Sequence, residues 1–145
     1  AVVGEQVLVL HRLGQEEMLE SLELSSGKSR WRAAWPASYR SSIDPDNGPR
    51  CVPTVAPATA ASNSPTAICY GAAGDLTAVD LDNGKLRWHR KLRSEYRADD
   101  GYFGAGSAPL VVGQRVIVCL GVKEAGIVAV DLASGKTTMP AMRLP

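Results

Sequence analysis

Three stretches of this chain can be laid over one another without a gap: "SLELSSGKSRW" (Ser21–Trp31), "AVDLDNGKLRW" (Ala78–Trp88) and "AVDLASGKTTM" (Ala129–Met139). Each carries a small residue (Ser21, Ala78, Ala129), then an acid (Glu23, Asp80, Asp131). A Gly–Lys pair follows (Gly27–Lys28, Gly84–Lys85, Gly135–Lys136), and the copy ends on Trp31, Trp88 or Met139. A repeat constrains the fold more than any single residue, because every copy must build the same unit and bury it against a neighbour.

The flanking text defines that unit. Upstream of the three copies lie "QVLVLHRLGQEEML", "AICYGAAGDL" and "RVIVCLGVKEAGI", each an apolar or β-branched run, a glycine-containing turn and a second run. Such runs with turn signals between them read as strands. Gly27, Gly84 and Gly135 can take the positive φ that a tight strand-to-strand turn requires. One further strand precedes the second and third copies, "CVPTVA" and "SAPLVV", and a fragment of it opens the chain as "AVVGEQVLV". Each unit is therefore a four-stranded meander. The spacings, 57 residues from Gly27 to Gly84 and 51 from Gly84 to Gly135, differ largely through "PATAASNSPTA", which reads as a surface insertion.

Repeated four-stranded units of this size predict an all-β chain of about three antiparallel β-propeller blades. Their expected extents are about 1–35, 51–93 and 105–139; the competing architecture is a duplicated β-sandwich. Within a blade, the outer-strand Trp needs cover, which a neighbouring blade supplies. The small residue leaves room for an indole, and the acid accepts backbone N–H bonds at the corner. The lysine keeps the corner soluble. This makes the motif a joint between blades.

The eleven residues of Ala78–Trp88 resemble the tryptophan-docking motif of the quinoprotein-type, eight-bladed propellers, and "GSAPLVVGQRVIV" resembles the inner strands of the same repeats. The chain is similar over nearly its whole length to the PQQ-like β-propeller repeat family. That family includes quinoprotein alcohol dehydrogenases, the propeller lipoprotein of the outer-membrane barrel-assembly machine and many bacterial proteins of unassigned role; "GYFGAGSAPLVVGQRVIVCLGVKEAGIVAVD" looks most like the last group. The resemblance implies an extracytoplasmic, periplasmic setting. Copy one departs from the motif at Ser21 and Glu23, and copy three at Met139, which fills a gap but lacks an indole's stacking area.

The dehydrogenases of that family hold a quinone and calcium with adjacent disulfide-bonded cysteines, a tryptophan and carboxylate or amide ligands. Cys51, Cys69 and Cys119 are scattered. Cys69 in "ICYG" and Cys119 in "VCLG" read as matching buried strand residues in successive blades. Asp99–Asp100 in "RADDGYFGAG" reads as a solvated loop rather than a cation site, and His11 and His89 show no metal-ligand spacing. No catalytic residue, cofactor or metal is expected, PQQ and calcium entering only if the chain is a fragment of such a dehydrogenase.

Composition closes other classes. A chain that is 45% hydrophobic and 21% charged, with a formal charge of +1, suits a folded domain and gives no bulk reason to expect nucleic acid. No apolar run approaches the roughly 20 residues of a membrane-spanning helix. The basic run "KLRWHRKLRSEYR" reads as protection of an edge strand. Three blades fall short of the four to eight that typically close a ring. The expected partners are further blades in the same polypeptide or identical copies, with a protein partner for the finished platform.

Overall fold

The computed structural model describes residues 1–43, 45–60, 62–99, 103–123 and 125–142, the last three by backbone alone. Among the described residues, twelve strands form three four-stranded sheets, each a meander in chain order. Sheet one holds β1 (Val2–Val3), β2 (Gln6–Leu13), β3 (Glu16–Glu23) and β4 (Ser29–Pro36). Sheet two holds β5 (Thr54–Ala56), β6 (Thr66–Tyr70), β7 (Asp75–Asp80) and β8 (Leu86–Lys91). Sheet three holds β9 (Leu110–Val112), β10 (Arg115–Val122), β11 (Ala125–Asp131) and β12 (Thr137–Met142). All pairings are antiparallel, and one helical turn, α1 (Leu92–Glu95), follows β8.

The sheets stack face to face around two cores. Leu8, Leu19, Ala33 and Trp35 of sheet one meet Ala67, Cys69, Val79 and Leu81 around sheet two's first face. Ile68, Tyr70, Leu76, Ala78 and Trp88 on its opposite face meet Val116, Val118, Leu120, Val128 and Val130 of sheet three. Burial follows from this order. All five residues of β6 are buried, whereas β3 and β10 alternate between buried and more open positions, as strands with only one covered face must.

Two expectations from the sequence change here. Ala78 opposes Ile68 while Ala129 opposes Ile117, so Cys119 matches Tyr70 in register and lies one place beyond the match to Cys69. One residue reverses the face of a strand. Cys69 is buried between sheets one and two, and Cys119 is exposed. The basic run after Gly84 is likewise more than a soluble edge: Arg87, Arg90 and Arg93 are engaged with Asp80, Glu95 and Asp99.

Candidate functional site

The three corners share one backbone turn. Gly27, Gly84 and Gly135 have φ of 68°, 73° and 69°. Each donates its N–H to the carbonyl of the acid four residues back at 2.8 Å, and that acid donates to the carbonyl of Lys28, Lys85 or Lys136. The lysine thus enters the turn through its backbone, with its side chain exposed. Asp80 accepts the Asp82 N–H at 3.0 Å, and Asp131 accepts the N–H and hydroxyl of Ser134 at 2.8 and 2.6 Å. Glu23 accepts the Ser26 hydroxyl. The bonds from Ser134 hold the Asp131 carboxyl below the usual aspartate range. At Asp80, burial pushes the carboxyl up, but bonds from Ser64, Arg87 and the Asp82 amide outweigh it and leave it lowered.

Each small residue faces the large one across its own sheet: Ser21 opposite Trp31, Ala78 opposite Trp88, Ala129 opposite Met139. The pairing register shifts immediately afterwards in all three sheets, a bulge that re-aims the outer strand. Trp31 leaves sheet one and covers the corner of sheet two, its indole N–H donating to the Leu81 carbonyl at 2.9 Å. A Cβ built on Gly84 would lie 2.5 Å from that ring. Trp88 repeats the contact on sheet three, donating to the Leu132 carbonyl at 2.9 Å, and a Cβ on Gly135 would lie 2.7 Å from it. Glycine at these corners therefore answers two demands at once, positive φ and a flat seat for an indole.

The first corner has the same turn and no cover. Nothing lies within 4 Å of a Cβ on Gly27, and Leu24 is 50% exposed where Leu81 and Leu132 are each 3% exposed. Met139 is 41% exposed at the position of the two tryptophans.

Further contacts support the joints, and sequence reasoning missed them. Arg90 reaches across to the Gly135 carbonyl and is held by Glu95. Thr54 donates to the Pro109 carbonyl at 2.6 Å, tying the inner strands of sheets two and three. Arg87 clamps the inserted loop onto the second corner, donating to the Ser64 carbonyl at 2.9 Å and pairing with Asp80 at 2.9 Å. No signal short of tertiary structure distinguishes these arginines from the others in the run.

Among the described residues, one group has the outline of a relay: Thr77 Oγ1 lies 2.9 Å from His89 Nδ1, and His89 Nε2 lies 3.5 Å from Asp75. Thr77 is 1% exposed beneath sheet one, which leaves a substrate no approach, so the trio serves as a polar ladder across β7 and β8. His11 faces Glu20 at 3.5 Å. Asp99 is exposed 3.8 Å from Arg93, and Asp100 lies outside the described residues. The three thiols are free, and among the described residues no three of His, Cys, Asp and Glu gather as metal ligands. Both interblade indole N–H groups are taken by carbonyls. Clefts of about 460 and 430 Å³ open beside His11 and Arg12, and beside Ile43 and Phe103. Arg12 is engaged by the carbonyls of Ala37, Tyr39 and Asn47.

Stacked four-stranded meanders, the first two each sending an outer-strand indole onto the next corner, define a segment of β-propeller. The family model described as outer membrane protein assembly factor BamB matches residues 1–142, and the chain belongs to that family of PQQ-like propeller repeats. Among solved structures it is similar to BamB from Moraxella catarrhalis, at 16% identity and a TM-score of 0.57, covering 97% of this chain and 34% of that one. It is similar also to a europium-containing methanol dehydrogenase, at 23% identity and 0.56, covering 95% and 23%. A third is the quinohemoprotein alcohol dehydrogenase from Comamonas testosteroni, at 22% and 0.58, covering 95% and 19%. The chain thus spans about a third or less of these structures. No curated protein matches it.

Proposed function

We propose that these residues form three consecutive blades of a larger propeller that serves as a non-catalytic scaffold and protein-binding platform in an extracytoplasmic assembly. The observation that carries this reading is the unoccupied first corner. Gly27 and Leu24 repeat, uncovered, the seat that indoles cover at Gly84 and Gly135, which supports a further blade packing there. That blade comes from the same polypeptide or from a second copy. The family description, an outer membrane protein assembly factor, supports both the assembly role and the location. No helix of the described residues is long and apolar enough to cross a membrane.

The likeness to two quinone-family dehydrogenases favours one alternative, a fragment of such an enzyme whose ligands lie in other blades. Light scattering of the 15.4 kDa chain tests the scaffold reading. A strand-rich integer multiple means that copies supply the missing cover. A monomer with exposed apolar faces means that the cover belongs to the parent polypeptide. A monomer whose faces bind no hydrophobic dye would overturn the reading. Calcium-dependent quinone absorbance by the complete protein would establish the dehydrogenase alternative.

A further inference from the structure

We propose that Glu17 is a proton-operated latch between sheets one and two: the joint holds more firmly with its carboxyl protonated and yields more readily with it ionised. Glu17 stands on β3, 1% exposed, and reaches across the joint to the β6–β7 turn. Its Oε1 accepts the Ala72 N–H at 3.0 Å and its Oε2 accepts the Trp35 indole N–H at 3.3 Å. The carboxyl lies so close over Gly71 that any Cβ there would collide with it. The joint thus has two fastenings, Trp31 at the corner end and Glu17 at the opposite end.

Only this joint is built so. Counting four residues back from the small motif residue places Gly74 in sheet two and Ala125 in sheet three where sheet one has Glu17. Counting four on from Trp88 gives Leu92 where sheet one has Trp35. At the second joint the Glu17 position is Gly74, over which the Arg93 side chain folds, and the Trp35 position is the buried Leu92, so no carboxyl takes this place there. A buried carboxylate without a bonded cation is costly, whereas the neutral acid is much less so.

The surroundings fix the direction. Arg12 on β2 is the nearby cation, but its guanidinium is spent on the carbonyls of Ala37, Tyr39 and Asn47. Trp35 on β4 is a neutral donor. From sheet two, Asp75 adds negative charge, and it is itself paired with His89 behind the Trp35 ring. The thiols of Cys51 and Cys69 also face the site, and burial pushes both upward, so they stay neutral. Burial raises the Glu17 carboxyl above the usual glutamate range, more than the Ala72 and Trp35 bonds lower it. A group raised in the closed joint binds its proton there first. The closed state therefore gains stability as pH falls from neutral toward about 4.3, the ordinary glutamate value.

Hydrogen exchange at the Ala72 amide, corrected for the intrinsic pH dependence, tests this in the full protein. The Leu132 amide, bonded to Gln114 within sheet three, is the reference. The Ala72-to-Leu132 protection ratio should rise about threefold or more from neutral pH to about pH 5, and should stay flat in Glu17→Gln. A ratio that is unchanged, that falls, or that rises equally in Glu17→Gln would overturn the latch. Should that variant not fold, the side-chain carboxyl of Glu17 can be titrated by carbon NMR in the unaltered protein. A midpoint at or below the ordinary glutamate value would then overturn it.

Discussion

At the scale of the residue, the corner glycines separate two costs that usually come together. Gly84→Ala puts a Cβ into the Trp31 ring and forces a positive φ, whereas Gly27→Ala meets only the φ. Backbone strain costs about 1–2 kcal/mol, so Gly27→Ala should lose about that much. Gly84→Ala should lose a further ~1–3 kcal/mol by overpacking, read as a larger drop in urea midpoint. Equal losses would mean that the indole is not tightly seated. The corner acids carry a pH signature. Because Asp80 and Asp131 are lowered when folded, their contribution is present above about pH 4 and is lost as pH falls through their folded values. Asp131→Asn should flatten part of that acid limb in a melting-temperature profile. These positions were legible because three copies repeat them. Glu17 was not, since "EEMLESLE" has the look of a solvated strand and only packing reveals which glutamate turns inward.

At the scale of the element, sheet two departs from its neighbours through its inserted loop. Arg87 gathers the Ser62 and Ser64 hydroxyls, the Ser64 carbonyl and Asp80 into one cluster beside Ala133 of the third corner. Arg87→Ala should free this loop, so limited proteolysis should cut within 57–65 at least several-fold faster while the sheets remain intact. An unchanged cutting rate would show that the loop is held by its own contacts. Strand existence and order followed from glycine punctuation and apolar runs. The register of β10 did not, because the strands of its hairpin with β11 run further than those of β6 and β7 and carry a bulge between Cys119 and Val122. A matching "C–apolar–G" string therefore concealed a one-residue offset.

At the scale of the whole molecule, stability is the sum of sheets and joints between nearest neighbours. Ile68 belongs to the second core, while its chain neighbour Cys69 belongs to the first. Ile68→Ala should cost about 2–5 kcal/mol, concentrated in the joint between sheets two and three. In a Trp88→Phe background, fluorescence from Trp31 and Trp35 reports the first joint alone. Its denaturation midpoint should then shift less than the midpoint seen by circular dichroism. Coincident shifts would mean that both joints open as one cooperative unit.

Local spacing that three copies state independently was enough for the repeating unit, the all-β class and the family. Tertiary structure alone decided which sheet is covered on both faces, which arginines act as clamps and which carboxyl is buried. It alone showed that one corner has no indole above it. Those facts depend on what another sheet places opposite a residue, and burial, unlike a turn, leaves no mark at fixed spacing along a chain.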